Sequence, residues 1–277
     1  MTGETQERLR PIASRQNSLV KDLRRAFTQA ELTDDGYCAV EGLRILEEAI
    51  RSGLRIKAVF FSHSGQQHAE RLLPQLGNHT ETLLLPDEVF QNAVSTETPQ
   101  GVAALVKLKN LSLQDMLRGP DLFLLGAAGI QDPGNLGTMI RSAEAFGASG
   151  ILTLEKTVAT INPKTIRASA GSIFRLPVVK ASFETVSATL HSAGIRVVAT
   201  SSHKGTPLHE ADLTGPVAVI VGSEGAGVPK DVLVEADEMI VIPHSPRVES
   251  LNAGIAASII LYEAAMQRQK TQREVAE

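Results

Sequence analysis

VAVIVGSEGAGVP, residues 217–229, runs from an unbroken apolar stretch into a turn that holds three glycines. Val217 to Val221 shows no polar alternation, so it reads as a strand buried on both faces, the pattern of a parallel sheet flanked by helices. The turn would suit a dinucleotide but for its frame, Gly222, Glu224, Gly227. A carboxylate stands where a pyrophosphate needs bare backbone N–H groups, and its fixed negative charge repels phosphate.

Outward from this strand the same grammar repeats. Apolar runs at Leu122–Leu125, Gly150–Leu154, Val178–Lys180, Val197–Thr200 and Glu238–Ile242 predict further strands, with helices starting near Gly134, Lys164, Phe183 and Leu251. Strands alternating with helices give an α/β fold class, with a parallel-sheet domain over 120–277. Residues 109–119 are polar and read as a linker, with room for one short helix. Residues 1–108 form a smaller N-terminal α/β/α domain. Its helix is expected over AVEGLRILEEAIRSGL, where Val40, Leu43, Leu46, Ala49 and Ile50 recur at helical intervals. Its strands are IKAVFFS, TETLLLP and QGVAALVKL; a helix broken at Pro74 and another over Asp87 to Val94 lie between them. The charged tail RQKTQREVAE is expected to fray.

Composition narrows the function. Of 277 residues 43% are hydrophobic and 21% charged, and no apolar run approaches the ~20 residues of a membrane span. The polar first residues lack the apolar core of a signal peptide. Cys38 is the single cysteine, so no intramolecular disulfide is available; it reads as a small buried hydrophobe in a reducing compartment. Histidines fall in no ligand spacing, so neither a structural metal nor a membrane partner is expected, and the location reads as cytoplasmic. A net charge of −4 argues against a general nucleic-acid coat. Charge is nevertheless uneven: Arg8, Arg10, Arg15, Lys21, Arg24 and Arg25 face the single acid Asp22 in their interval. That run is either a solvated helix face or a contact for RNA phosphates.

Ligands of open parallel sheets bind beyond the carboxyl ends of the strands, and three polar turns fall at such ends. The first, DPGNLGTMIRSAEAFG, places Asn135 in a turn and Arg141 on the helix that follows. The second is Gly222, Glu224, Gly227. The third, IPHSPRVESLNAG, ends a strand at Ile242-Pro243 and reaches Ser250-Leu251-Asn252. Serine before an apolar helical run is a common N-cap, which alone accounts for Ser250; Asn252 is less expected inside a helix.

Taken in order, these turns resemble the motifs of the SpoU/TrmH-type RNA ribose 2′-O-methyltransferases, a branch of the knotted SPOUT methyltransferases. NPKTIRASAGSIFRLPV also resembles that family's connecting segment. Two departures stand out: His244-Ser245-Pro246 makes a stiffer loop than the family's usual methionine and glycine, and Ala253-Gly254 replaces a valine-serine pair. The resemblance implies a trefoil knot in the C-terminal domain, S-adenosylmethionine as cofactor, and a homodimer through the knotted domain. It implies a cofactor site of Thr200, Gly222, Glu224, Gly227, Ile242, Leu251 and Asn252. It implies a catalytic set of Arg141, Asn135, Glu224, Ser250 and Asn252, with Glu224 orienting Arg141 or Asn135. A cationic sulfonium has no quarrel with Glu224, which answers the puzzle of the glycine turn.

SRQNSLVKDLRRAF…YCAVEGLRILEEAI is similar to the N-terminal domain of ribosomal-RNA members of the family, itself like small ribosomal proteins that bind bent or looped RNA. Ribosomal RNA is thus favoured over transfer RNA as the partner, with Arg15, Lys21, Arg24, Arg25, Lys164, Arg167 and Arg247 as candidate RNA contacts. The competing readings are a transfer-RNA methyltransferase, an antibiotic-resistance methyltransferase and an RNA-binding assembly factor that methylates nothing. A dinucleotide oxidoreductase fits the sheet but not Glu224.

Overall fold

The computed structural model describes residues 8–119 and 121–276, with side chains as far as Arg273. In chain order its first elements are β1 (Arg10–Pro11), α1 (Ser18–Gln29), β2 (Cys38–Glu41), α2 (Leu43–Arg51), β3 (Arg55–Ser62), α3 (Ala69–Leu72), β4 (Glu81–Leu85), α4 (Asp87–Gln91) and β5 (Val102–Lys107). There follow α5 (Leu113–Met116), β6 (Phe123–Ala128), α6 (Pro133–Ala145), β7 (Gly150–Thr153), α7 (Pro163–Ala168), β8 (Val178–Lys180) and α8 (Phe183–Ser192). The chain closes with β9 (Arg196–Ser201), β10 (Thr206–Pro207), β11 (Val217–Gly222), α9 (Lys230–Glu235), β12 (Glu238–Val241) and α10 (Ala253–Ala276).

These residues form two compact units. One contains the chain as far as Asn110 together with Ile161–Arg175; the other contains Leu111–Thr160 and the chain from Leu176 onward. The segment NPKTIRASAG, late in the sequence, thus folds with the N-terminal unit, where α7 packs on β2.

The N-terminal unit is built on a mixed five-stranded sheet, order β1-β4-β3-β5-β2, in which β5 runs antiparallel to both its neighbours. α1 buries Val20, Leu23, Ala26 and Phe27, which meet Phe60, Leu83 and Leu105 from the sheet. Val40, expected to open the next helix, instead lies in β2, and α2 begins only at Leu43. Gly42 separates them at φ 102°, a left-handed backbone that glycine tolerates and a helix does not. Cys38 in β2 is 1% exposed, and burial pushes its thiol pKa up to about 12.

The C-terminal unit carries a seven-stranded, all-parallel sheet, order β10-β12-β9-β11-β6-β7-β8. Every residue of β6 and β11 is buried, as their unbroken apolar runs require. The polar stretch before β6 is not featureless. Ser112 and Asp115 form a reciprocal capping box that starts α5, and Met116 is buried in the core beside Leu124 and Phe183. α10 runs to Ala276 where the sequence suggested fraying. Its small residues turn inward onto α6: a Cβ on Gly254 would stand 3.3 Å from Thr138, and Ser258 and Ser142 share a 2.7 Å hydrogen bond. Phe146 and Tyr262 continue the seam edge to face, with ring centroids 5.7 Å apart. No helix among the described residues is long and apolar enough to cross a membrane.

Candidate active site

The sheet order explains why turns far apart in sequence meet. β11 pairs with β6 so that Gly222 lies opposite Ala128, and the two strands release their following turns side by side. β12 pairs with β9, setting Val241 opposite Ser201, so the turns after those strands are neighbours as well. All four turns therefore open at the carboxyl edge of one sheet, where α/β folds bind ligands.

After β6, Asp132 caps α6 by accepting the Asn135 backbone N–H at 2.9 Å, and Pro133 occupies the first helical position. Asn135 is thereby fixed in the first turn with its amide side chain free to reach out. After β11 the chain folds back on itself. Gly227 N–H donates to the Ser223 carbonyl at 2.8 Å, and a Cβ on Gly222 would stand 2.1 Å from the Gly227 carbonyl carbon. Glycine at 222 is a steric requirement, and Gly227, at φ 66°, supplies the left-handed turn.

The last helix begins at Ala253, two residues later than expected, and its cap is Asn252 where Ser250 was the expected candidate. Asn252 Oδ1 accepts the Ile255 N–H at 3.2 Å, and its carbonyl accepts the Ala256 N–H. Its Nδ2 donates to Asn135 Oδ1 at 2.9 Å and to Glu224 Oε1 at 2.6 Å. Glu224 Oε1 also receives Asn135 Nδ2 at 3.0 Å and the Ala253 N–H at 3.1 Å. One residue from each of the three sequence turns therefore enters a single hydrogen-bonded knot of groups. The carboxylate sits at the start of the 24-residue α10, where the helix dipole favours negative charge.

Against this cluster lies a cavity of about 420 Å³, lined by Thr200, Gly222, Glu224, Gly227, Ile242, Leu251 and Ser250 among others. Of the expected cofactor set only Asn252 is absent from the lining; its neighbours on both sides are present. The volume is that of a small-molecule site, typically ~300–1,000 Å³. The wall is suited to adenosine. Bare backbone at Gly222 and Gly227 allows close approach, and Val228, Leu233, Met239, Ile242 and Leu251 offer apolar surface for a purine. Glu224 is the sole carboxylate of the lining, and Lys204 supplies a cation at its edge beside the His203 imidazole, which suits a cationic sulfonium with an amino-acid tail. His244, a departure from the family pattern, joins its Nδ1 to the Ile242 carbonyl at 2.8 Å and so stiffens that wall.

Arg141 stands apart. It is exposed on α6, six residues after Asn135, and its side chain makes no hydrogen bond or ion pair among the described residues. Glu224 thus orients Asn135 and Asn252, and Arg141 is left unpartnered. Ser250 lines the cavity. Of the expected RNA contacts, Arg15 is paired with Glu88, and Arg25 with Asp34 at 2.6 Å. Lys21 and Arg24 are exposed on α1, Lys164 and Arg167 on α7, and Arg247 in the loop after β12. The loop Ser201–Gly205 was not singled out in the sequence, although it follows a strand and carries a glycine at φ 121°.

The family model described as SpoU rRNA methylase matches residues 123–262, and one described as an MRM3-like substrate-binding domain matches residues 17–104. The chain is 32% identical over 254 residues to the 23S rRNA (guanosine(2553)-2′-O)-methyltransferase RlmP of Bacillus subtilis, a match that covers 92% of this chain and 98% of that one. Among solved structures it superposes on the SpoU methyltransferase AviRb of Streptomyces viridochromogenes in complex with AdoMet, with TM-score 0.84 and 26% identity, covering 92% and 99% of the two chains. An AdoMet-bound rRNA methyltransferase of Sinorhizobium meliloti gives TM-score 0.81 and 30% identity, with 94% and 98% covered.

Proposed function

The chain belongs to the SpoU rRNA methylase family, and on that premise we propose that it is an S-adenosylmethionine-dependent methyltransferase acting on a ribose 2′-hydroxyl of ribosomal RNA. The observation that carries this reading is the convergence of Asn135, Glu224 and Asn252 on one edge of the glycine-walled cavity.

When bound, the cofactor supplies an electrophilic methyl group on sulfur. The chain's part is to hold the parts in line and to manage the proton. Gly222, Ile242 and Leu251 hold the adenosine with backbone groups, beside Thr200 and Gly227. Glu224 fixes both asparagine amides, so that Asn135, Asn252 and Ser250 present a rigid polar edge to the incoming ribose. Such alignment is worth several kcal/mol in a displacement reaction. Arg141, with all its donors free, binds the ribose oxygen and the adjoining phosphate. Because arginine stays protonated in proteins, its contribution is to stabilise the developing alkoxide while the proton leaves to water or phosphate.

The N-terminal unit carries the RNA with Lys21, Arg24, Lys164 and Arg167 as exposed cations, and Arg247 of the C-terminal unit adds a further contact. The trefoil knot, a cytoplasmic location and a homodimer belong to the same reading. The dimer is supported by Ile255, Ile259, Tyr262 and Met266, spaced four, three and four apart on α10 and exposed by 54%, 37%, 51% and 37%. This outward stripe, and not the small residues packed on α6, is the surface a second copy covers.

The test is methyl transfer from labelled S-adenosylmethionine to unmodified ribosomal RNA and transfer RNA, read by nucleoside mass spectrometry. A 2′-O-methyl nucleoside from ribosomal RNA is expected. The same product from transfer RNA alone would overturn the substrate, and no product on either, with cofactor bound, would make this an RNA-binding assembly factor.

A further inference from the structure

We propose that an arginine-lined cleft in the N-terminal unit, distinct from the basic run at Arg8–Arg25, is a binding site for the phosphate backbone of the RNA substrate. The proposal rests on the assignment of ribosomal RNA as that substrate. The cleft has a volume of about 520 Å³, and Arg44, Arg51, Arg71 and Arg167 line it with Glu41, Glu47 and Glu48.

Its charges are arranged in layers. Glu41 and Glu47 lie beneath the surface, 7% and 5% exposed. The guanidiniums lie above them, with side-chain exposures of 65% for Arg51, 62% for Arg71 and 41% for Arg167. Arg71 grips Glu47 through Nε and through Nη2, the latter at 2.8 Å. Arg51 donates to Glu48 at 2.7 Å, and Arg167 stands 3.9 Å from Glu41, whose oxygens are already taken by Thr96. Each carboxylate engages two donors at most of a group that has five. Glu47 and Glu48 therefore fix the orientation of Arg71 and Arg51 and leave their remaining N–H groups for a ligand. Arg44 is exposed, and its side chain has no hydrogen bond or ion pair among the described residues.

Four solvent-facing guanidiniums, two of them held by Glu47 and Glu48, fit phosphate, which arginine binds in bidentate fashion.

The test uses the full chain and in vitro transcribed 23S ribosomal RNA, with affinity measured by filter binding across a salt series. Arg44→Gln combined with Arg51→Gln is expected to weaken binding about 5- to 30-fold and to reduce the slope of log K against log salt by about 1 to 2. The corresponding lysine pair restores part of the slope. Binding of S-adenosylhomocysteine and the melting temperature report whether the double variant is folded; if it is not, Arg44→Gln alone, which breaks no contact, decides on the same two readouts. Affinity and slope equal to the parent protein would overturn the cleft, as would an equal loss from Arg118→Gln, a change outside it. If the parent methylates ribosomal RNA while the variants bind it normally, the cleft fails and the enzyme assignment stands. If the cleft binds this RNA but no methyl group is transferred, the reverse holds.

Discussion

Asn252 donates to Glu224 at 2.6 Å across 28 residues of chain, and the same Glu224 oxygen receives Asn135 and the Ala253 N–H. Charge-assisted bonds are about twice as strong as neutral ones, so Glu224 is the anchor and the asparagines are the positioned groups. Glu224→Ala leaves both amides without their common acceptor. Turnover is expected to fall about 100-fold, the scale of losing one preorganised polar group, with S-adenosylhomocysteine affinity changed less than about 5-fold. Equal losses in both measurements would mean that Glu224 serves the cofactor and does not orient the amides.

The glycine turn offers a paired test. A Cβ at Gly222 meets Gly227 backbone at 2.1 Å, whereas at Gly225 it meets nothing within 4 Å. Gly222→Ala is expected to abolish S-adenosylhomocysteine binding in calorimetry, because the cavity wall must move. Gly225→Ala, a few residues away in the same loop, should bind within about 3-fold of the parent; similar behaviour of the two variants would mean the wall adapts.

Arg141 is predicted to act in the chemical step and not in cofactor binding. Arg141→Ala should lose at least about 100-fold in kcat, with cofactor affinity intact. Arg141→Lys should recover little, since a single ammonium cannot span ribose oxygen and phosphate as a planar fork does. Near-normal turnover of the alanine variant would remove Arg141 from the site.

Much of this site was legible because its residues sit in turns at strand ends. Asn135, Glu224 and Asn252 are polar where a plain α/β connection needs none, and the parallel sheet brings such ends together. The cap of α10 was less legible: Ser250 and Asn252 are both good N-caps, and the choice was made by Glu224, which holds Asn252 from a different strand. β2 was hidden because Ala39 and Val40 continue the apolar spacing of α2, and only Gly42 marks the break. The arginine cleft had no local signature at all, its cations being drawn from α2, α3 and α7. Placing NPKTIRASAG with the N-terminal unit likewise required tertiary contacts, chiefly those of α7 with β2.

Cys38 gives a prediction in pH. Burial raises its folded pKa to about 12, above the ~8.5 of a free thiol. A raised acid pKa means the neutral form is favoured by folding, so the contribution is complete below pH ~8.5 and is lost as pH climbs toward 12. The thiol should therefore resist iodoacetamide at pH 8 in the native protein and react only through its opened state, at a rate that denaturant increases. Rapid native-state alkylation would place Cys38 near the surface.

Arg268 tests how the last helix is held. Its Nε donates to the Leu213 carbonyl at 2.9 Å, Nη1 to Asp121 at 3.1 Å, and Nη2 to Leu122 and Gly215. The guanidinium also lies 5.1 Å from the Phe123 ring centroid. A single planar group thus ties α10 to the segments that lead into β6 and β11. Lysine offers one point charge in place of a fork, so it cannot reach four carbonyls spread around a plane. Arg268→Lys should cost about 1–3 kcal/mol through the acceptors left unpaired, lowering the melting temperature by several degrees. S-adenosylhomocysteine should still bind below the transition, because the cavity residues lie at the opposite, carboxyl ends of those strands. A melting temperature unchanged within a degree would mean that water replaces the arginine at no cost and that packing against α6 and the Gln267 bonds to Ala211 and Leu213 hold the helix.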